Sequence, residues 1–365
     1  MTKAAELAKM GEVLTNSQIG GRRNIIINGA MTIDQRNSGS SINLGNGKFY
    51  AVDRFYWIEN SSETPTGQQV TDAPDGFTHS VKITNTSTTT TPSYTQLVQP
   101  IEGNNVSQLY FGNSSAQNMT LSFYVKSSLT GQFSVAFRNG ADNRSNVSTY
   151  TINSANTWER KIITFVGDTT GTYATDNTVG LNLIFRLDDT GGTSTLNQWT
   201  ASANAFASGS VRFMGNASAT WQVTGVQLEV GSQATPFEHR SFGEELELCK
   251  RYFQKTGNVS GNAYTPLTPY FDAASTSVGY CPIPLRPKMR LASAIAVSHS
   301  GVGELGLSIG TGTSAVSAVA LQAAQSGEDF ITIKFTSSDT LTQYRPMRVY
   351  ANNDATAFIA FDAEL

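Results

Sequence analysis

Charge is scarce in this chain of 365 residues: Asp, Glu, Lys and Arg make up 15%, against roughly 25% in an average soluble protein. The 25 basic and 28 acidic residues leave a net charge of -3, and no long basic run interrupts the text. The field that phosphate neutralisation requires is missing, which argues against nucleic acid and anionic membrane as partners. Long apolar runs are missing too, since no window reaches the roughly 18 consecutive apolar residues of a membrane span. The opening MTKAAELAKM lacks the apolar core, about 7 to 15 residues long, of a secretory leader. The chain is therefore expected to be made in a cytosol and to stay soluble. Cysteine is nearly absent, with Cys249 and Cys281 alone. A reducing cytosol favours two buried free thiols over a bridge.

What fills the chain instead is Ser, Thr, Asn and Gly, giving a neutral, hydroxyl-rich surface. Sequons such as Asn85-Thr86-Ser87, Asn118-Met119-Thr120 and Asn216-Ala217-Ser218 are expected by chance in such text. At 39.2 kDa the chain exceeds the roughly 250 residues at which single cores stop growing, so two globular domains are expected.

Residues 2 to 14 (TKAAELAKMGEVL) hold good helix formers, with Leu7, Met10 and Leu14 spaced three then four apart. Gly20-Gly21 then reads as a hinge. Residues 1 to 21 are expected to form a short helical anchor that docks the chain onto a larger particle, through Leu7, Met10 and Leu14 with Gly20 and Gly21 as the joint.

From Arg22 to about Gly231 the periodicity is two, within an expected jelly-roll domain over residues 22 to 240. Short apolar or alternating runs occur at Ile25 to Ile27, Phe49 to Ile58, Val81 to Ile83, Tyr94 to Val98 and Met119 to Val125. Others fall at Gln132 to Phe137, Trp158 to Val166, Leu181 to Leu187, Ala207 to Phe213 and Trp221 to Leu228. About ten strands without intervening helices fit a two-sheet sandwich of jelly-roll kind. At Ser241, the S-x-x-E text Ser241-Phe242-Gly243-Glu244 is a capping box. Phe242, Leu246, Cys249 and Phe253 behind it form an apolar stripe. Residues 241 to 365 read as this linking helix followed by a smaller β-rich domain, with strands at Ser277 to Ile283, Ala294 to Ser298, Phe330 to Phe335, Met347 to Tyr350 and Ala357 to Phe361. The fold class is all-β.

Several motifs look like chemistry. Gly306-Leu307-Ser308-Ile309-Gly310 has the G-x-S-x-G form of a nucleophile elbow, which needs a strand, a strained turn and a helix. Thr311-Gly312-Thr313-Ser314 follows and forms no helix, so a β loop is expected, and the relaxed dinucleotide pattern in the same text is read the same way. Asp188-Asp189, with Asp168 and Asp176 not far away, offers oxygen ligands for Ca²⁺, while Asp188-Asp189-Thr190-Gly191-Gly192 also reads as an ordinary turn. Sparse acids argue against a glycan hydrolase, and no other cofactor is expected. Trp158 and Trp221 start alternating strands and read as core. Tyr56 and Trp57 adjoin on one strand and must face opposite sides of a sheet. Trp199 lies in a Gly/Ser/Thr-rich stretch, where its ring could stack on a sugar; with Asn197 and Gln198 it is the candidate glycan site.

Asn24 to Met31 (NIIINGAM), Gln35-Arg36 and Tyr50 to Phe55 (YAVDRF) resemble the opening of a family of bacteriophage fibre and structural proteins from marine and cyanobacterial phages. Val226 to Gly231, Thr235 to Arg240 and Glu244 through Phe253 resemble that family's central block, and Asp362 to Leu365 its ending. The resemblance implies a jelly-roll domain similar to carbohydrate-binding modules, then a β-rich distal domain, in a usually trimeric virion appendage. It implies no catalytic residue. The expected function is a virion-attached homotrimer, contacting other virion structural proteins and binding host-surface glycan. The alternative is a purely structural capsid, neck or baseplate decoration.

Overall fold

A computed structural model describes residues 3, 23–60, 64–88, 94–257, 262–291, 295–309, 312–327 and 329–365. The anchor residues Leu7, Met10, Leu14, Gly20 and Gly21 lie outside the described residues. Two compact units emerge, the first ending at Glu245 and taking in Leu365, the second spanning Leu246–Glu364.

The first unit holds β1 (Ile42–Asn43), β2 (Phe49–Val52), β3 (Phe55–Glu59), β4 (Thr66–Val70), β5 (Ser80–Thr84), β6 (Tyr94–Glu102), β7 (Met119–Ser127), β8 (Gly131–Asn139), β9 (Ser145–Ile152), β10 (Glu159–Phe165), β11 (Val179–Asp189), β12 (Trp199–Thr200) and β13 (Thr220–Val230). They form a six-stranded sheet, β1-β4-β5-β13-β7-β10, and a seven-stranded one, β12-β9-β8-β11-β6-β3-β2. Alternation decides which side chains meet: Leu121, Phe123, Val125, Trp221 and Val223 from one sheet share a core with Trp57, Leu97, Leu183, Phe185 and Phe137 from the other. This is the all-β sandwich that period-two text encodes.

Trp57 is fully buried between the sheets, whereas Tyr56 belongs to a separate apolar cluster with Val98, Ala136 and Ile184. Tyr56, Val98, Ile184, Ala136 and Val147 are register partners in one row across the seven-stranded sheet. Ala205 and Ala207 cover that row. In the stretch Ala207 to Phe213 only Ala207, Ser210 and Phe213 are buried, and it is a turn and coil, not the expected strand. Its Ala207 N–H is taken by the Ser134 hydroxyl (2.9 Å) instead of a ladder partner. Trp158 is likewise corrected: it precedes edge strand β10, is only half-buried, and donates its indole N–H to Asp72 (3.3 Å) under the Lys126 ammonium.

Ile25 to Ile27 is also not a strand, and side chains explain why. The Gln99 amide donates to the Ile27 carbonyl (2.7 Å) and accepts from its N–H (3.1 Å), standing in for a ladder partner. Asn24 Oδ1 accepts from the N–H groups of Ile26 and Leu228, and its Nδ2 donates to Val226. Asn28, in the left-handed region at φ 59°, donates to the carbonyls of Ile33 (2.8 Å) and Asp53 (2.9 Å). Gly29 is pressed so close that a Cβ would lie 2.1 Å from the Val226 carbonyl oxygen. On the far side, the Asn28 N–H donates to Glu245 (2.7 Å) and Arg240 Nη1 donates to the Ile26 carbonyl (3.0 Å). Residues Asn24 to Gly29 and Val226 to Glu245 are thus joined in one buried polar knot.

The helix α1 (Phe242–Lys250) begins as its text requires, with Glu244 N–H donating to Ser241 Oγ and Ser241 N–H to Glu244 Oε2, both at 3.3 Å. Its buried face differs from the expected stripe. Cys249 and Phe253 of that stripe are buried, but Phe242 is 64% exposed and Glu245 is buried instead, because the knot claims the Glu245 carboxylate for Asn28 and Arg240.

The second unit adds β14 (Phe253–Gly257), β15 (Phe271–Asp272), β16 (Val278–Pro284), β17 (Ala296–His299), β18 (Leu305–Ser308), β19 (Thr313–Leu321), β20 (Phe330–Ser337), β21 (Pro346–Ala351) and β22 (Phe358–Asp362). They pair as β14-β22-β17 and β15-β21-β18-β19-β20-β16 around Phe271, Ile283, Leu307, Ile333, Phe335 and Val349. Cys249 and Cys281 are free and buried, and burial pushes the Cys281 thiol up to about 12, away from thiolate chemistry.

Candidate functional site

The connection from β6 to β7 and the one from β10 to β11 meet at one end of the sandwich and enclose a cleft of about 190 Å³. Its walls include the rings of Tyr110, Phe111 and Tyr173 and the polar side chains of Ser107, Asn113 and Thr175. Tyr110 is 56% exposed and sits in the left-handed region at φ 52°, ψ 30°, a conformation a bulky residue rarely adopts. That backbone turn is held by the Tyr110 N–H donating to Ser107 (3.1 Å) and the Gly112 N–H donating to Asp168 (2.8 Å).

The rings are fixed from behind. Phe111 packs edge-on against Tyr173 (centroids 5.2 Å, 70°) and against Trp199 (5.5 Å, 75°), and Tyr173 meets Trp199 at 6.0 Å and 86°. These are the edge-to-face arrangements that the ring quadrupole favours. Trp199 donates its indole N–H to the Val166 carbonyl (2.8 Å). Trp199 is therefore half-buried support for the cleft rather than an exposed platform. Asn197 and Gln198 are exposed but outside the cleft lining; Asn197 Oδ1 accepts from Ser148 (2.7 Å). Sequence reading reached this corner through Trp199 and missed Tyr110, Phe111 and Tyr173. The adjacent aromatic pair Tyr110-Phe111 next to Gly112 is the signal that was there to find.

Below the cleft, Arg144 grips Asp168 with both prongs (Nε to Oδ2 2.5 Å, Nη2 to Oδ1 2.6 Å), and the Tyr173 hydroxyl donates to the same carboxylate (2.5 Å). Burial alone would raise the Asp168 carboxyl, but the hydrogen bonds from Arg144 and Tyr173 outweigh it and hold the group below the usual carboxylate range. Burial and the neighbouring carboxylate push the Tyr173 phenol upward, so it stays a donor. The network sets the ring's position and leaves Asp168 with no proton to give at neutral pH.

Asp188 and Asp189 are committed to arginines. Asp188 is fully buried and accepts from Arg212 and from the Met214 N–H (2.9 Å), while Asp189 accepts from Arg186 Nε (2.9 Å). Among the described residues no group of three His, Cys, Asp or Glu is placed to hold a metal ion. Ser308 lies at the end of β18, whose register partner is β19 (Leu307 with Ser314, Ser308 with Thr313). Among the described residues the G-x-S part of the text and the residues from Thr313 onward are antiparallel strands, where an elbow would need a helix.

No protein-family model matches the chain, and no curated protein matches it significantly. Among solved structures, it is similar to the enzymatically active domain of bacteriophage CBA120 tailspike protein 4 (TM-score 0.30, 13% identity, over 52% of this chain and 21% of that one). It is also similar to a CBM4 structure (TM-score 0.28, 16% identity, 56% and 97%). A third likeness is to the family 11 carbohydrate-binding module of a Clostridium thermocellum cellulosomal cellulase (TM-score 0.28, 14% identity, 54% and 98%). The chain spans about a fifth of the tailspike domain it matches. At these scores and identities the likenesses carry no functional weight.

Proposed function

We propose that this chain is a non-enzymatic glycan-binding appendage of a bacteriophage particle, with the Tyr110–Phe111–Tyr173 cleft as its sugar site. The observation that carries the reading is the chemistry of that cleft. An exposed ring sits beside two braced ones, and hydroxyl and amide groups of Ser107, Asn113 and Thr175 share the same wall. A pyranose offers an apolar face for the ring and hydroxyls for the polar groups, and it needs no charge from its host site.

The phage setting rests on the resemblance of the sequence blocks at Asn24–Met31 and Val226–Phe253, of which Asn24–Gly29 and Val226–Glu245 share one buried hydrogen-bond knot. In that setting the chain docks through residues 1 to 21 and acts as a homotrimer, so that three weak sites gain by avidity on a repetitive surface. A glycan array probed with the intact chain should return neutral polysaccharides, and light scattering should report about three times 39.2 kDa. An array without binding would overturn the sugar site and favour a purely structural decoration.

A further inference from the structure

The outer face of the second unit's larger sheet carries a strip of rings and charge unrelated to the first-unit cleft. Met347 and Val349 of β21 are buried in the core, so the pleat turns Arg348 and Tyr350 to the opposite face. Each has a surface tyrosine laid against it. Tyr264 stacks on Tyr350 (centroids 6.4 Å, 29°), and the Arg348 guanidinium lies 5.2 Å from the Tyr270 ring centroid. Tyr264 is 58% and Tyr270 65% exposed. The loop that carries both is tied to the sheet: Leu267 N–H donates to the Val349 carbonyl and Val349 N–H to Thr268 Oγ1, each at 2.9 Å.

The G-x-S-x-G text finds its use here. Gly306 pairs with Tyr350, and a Cβ at 306 would lie 2.5 Å from Tyr350 Cζ, so glycine lets that ring lie over the strand. Ser308 pairs with Arg348 and Thr313 with Ser308, which continues the same row with hydroxyl side chains. Arg348 makes no ion pair among the described residues, and its Nε is buried without a hydrogen-bond partner. A partly exposed guanidinium without an ion pair among the described residues, beside the exposed Tyr270 ring and in a row with hydroxyls, is suited to a carboxylate.

We propose that this strip binds an anionic polysaccharide, with Arg348 taking a sugar carboxylate and Tyr264 and Tyr270 stacking on the apolar faces of adjoining sugars. The Ser308 and Thr313 hydroxyls in the same row suit a hydroxyl-bearing polymer. The test uses the full chain carrying Tyr110→Ala, which disables the first-unit cleft, titrated with polygalacturonate and with its carboxyl-reduced form. The Tyr110→Ala chain should bind polygalacturonate, more weakly at higher salt, and should ignore the reduced polymer. Adding Arg348→Gln should weaken binding at least tenfold, Arg348→Lys less so, and Tyr270→Ala about fivefold with the melting temperature unchanged. Tyr270 is mostly exposed, so its variant serves even if Arg348→Gln fails to fold. Equal affinity for the reduced polymer, no binding by the Tyr110→Ala chain, or no effect of Tyr270→Ala would each overturn the proposal. So would an Arg348→Gln chain that changes its oligomeric mass and keeps its affinity, which would make the strip a contact between copies.

Discussion

The interiors of the two units are built on different principles. In the first, amides and charges are buried along with the apolar core: Asn24, Asn28, Asp53, Arg54, Gln99, Asp168, Asp188, Glu229 and Glu245 are all nearly inaccessible. In the second, the buried polar side chains among the described residues are hydroxyls alone, Thr268, Ser314, Thr332 and Ser337. An apolar interior tolerates many arrangements of similar volume, whereas a polar network demands its own partners and penalises every other register. The first unit thus fixes loops, including those that build the cleft, by specific hydrogen bonds. The second relies on sheet pairing around an apolar core and buries few polar side chains among the described residues.

Core truncation should move each unit by the largest amount and nothing else. Trp221→Ala in the first unit and Phe335→Ala in the second should each cost about 3–5 kcal/mol through the cavity left behind. Calorimetry should show only the affected unit's transition falling; a single shared shift would break the distinction. Next comes the polar knot. Arg240→Ala strands the Glu245 carboxylate, its partner at 3.2 Å, and should cost about 3 kcal/mol, seen as an earlier first-unit transition in denaturant. A loss below about 0.5 kcal/mol would mean that the knot is ornamental.

Smaller effects sharpen the same contrast. Trp199→Ala removes a half-buried brace and should cost about 1–2 kcal/mol of first-unit stability, less than a core tryptophan and more than a surface one. The pH response is a first-unit property as well. Burial raises the Asp53 carboxyl to about 6 despite Arg36 and Gln35, so between about 4 and 6 the folded state holds a proton that the unfolded state has lost. First-unit stability should therefore fall as pH rises through that window and level off above it. Against Asp53→Asn, the wild type should gain about 1 kcal/mol on going from pH 7 to pH 5. Parallel pH profiles for the two proteins would contradict the assignment.

The contrast also explains which parts were legible in the sequence. Wherever a strand buries one face, period-two text showed it: Met119 to Val125, Leu181 to Leu187, Trp221 to Leu228 and Phe330 to Phe335 all fall in strands. The capping box at Ser241 worked because its bonds are local. Errors gathered where long-range polar partners replace the ladder. Ile25 to Ile27 looked like a strand because nothing local reveals that Gln99 will bond its backbone. Phe242 looked buried because only the fold brings Asn28 and Arg240 to Glu245. Strands β4 and β9 were passed over because TGQQV and SNVSTYTI carry polar residues in a sheet. The cleft followed the same rule: its rings come from two connections some sixty residues apart, and only Trp199, the brace, stood out in the text.

The central claim is that the first-unit cleft holds a sugar against Tyr110. Calorimetric titration of the intact chain and of Tyr110→Ala, with a neutral oligosaccharide found on the array, tests it most directly. Tyr110 is 56% exposed, so its loss should leave the melting temperature unchanged. Losing the ring should remove roughly 1.5–3 kcal/mol of buried contact, so affinity should fall at least about tenfold. Equal affinity for the two proteins would contradict the account.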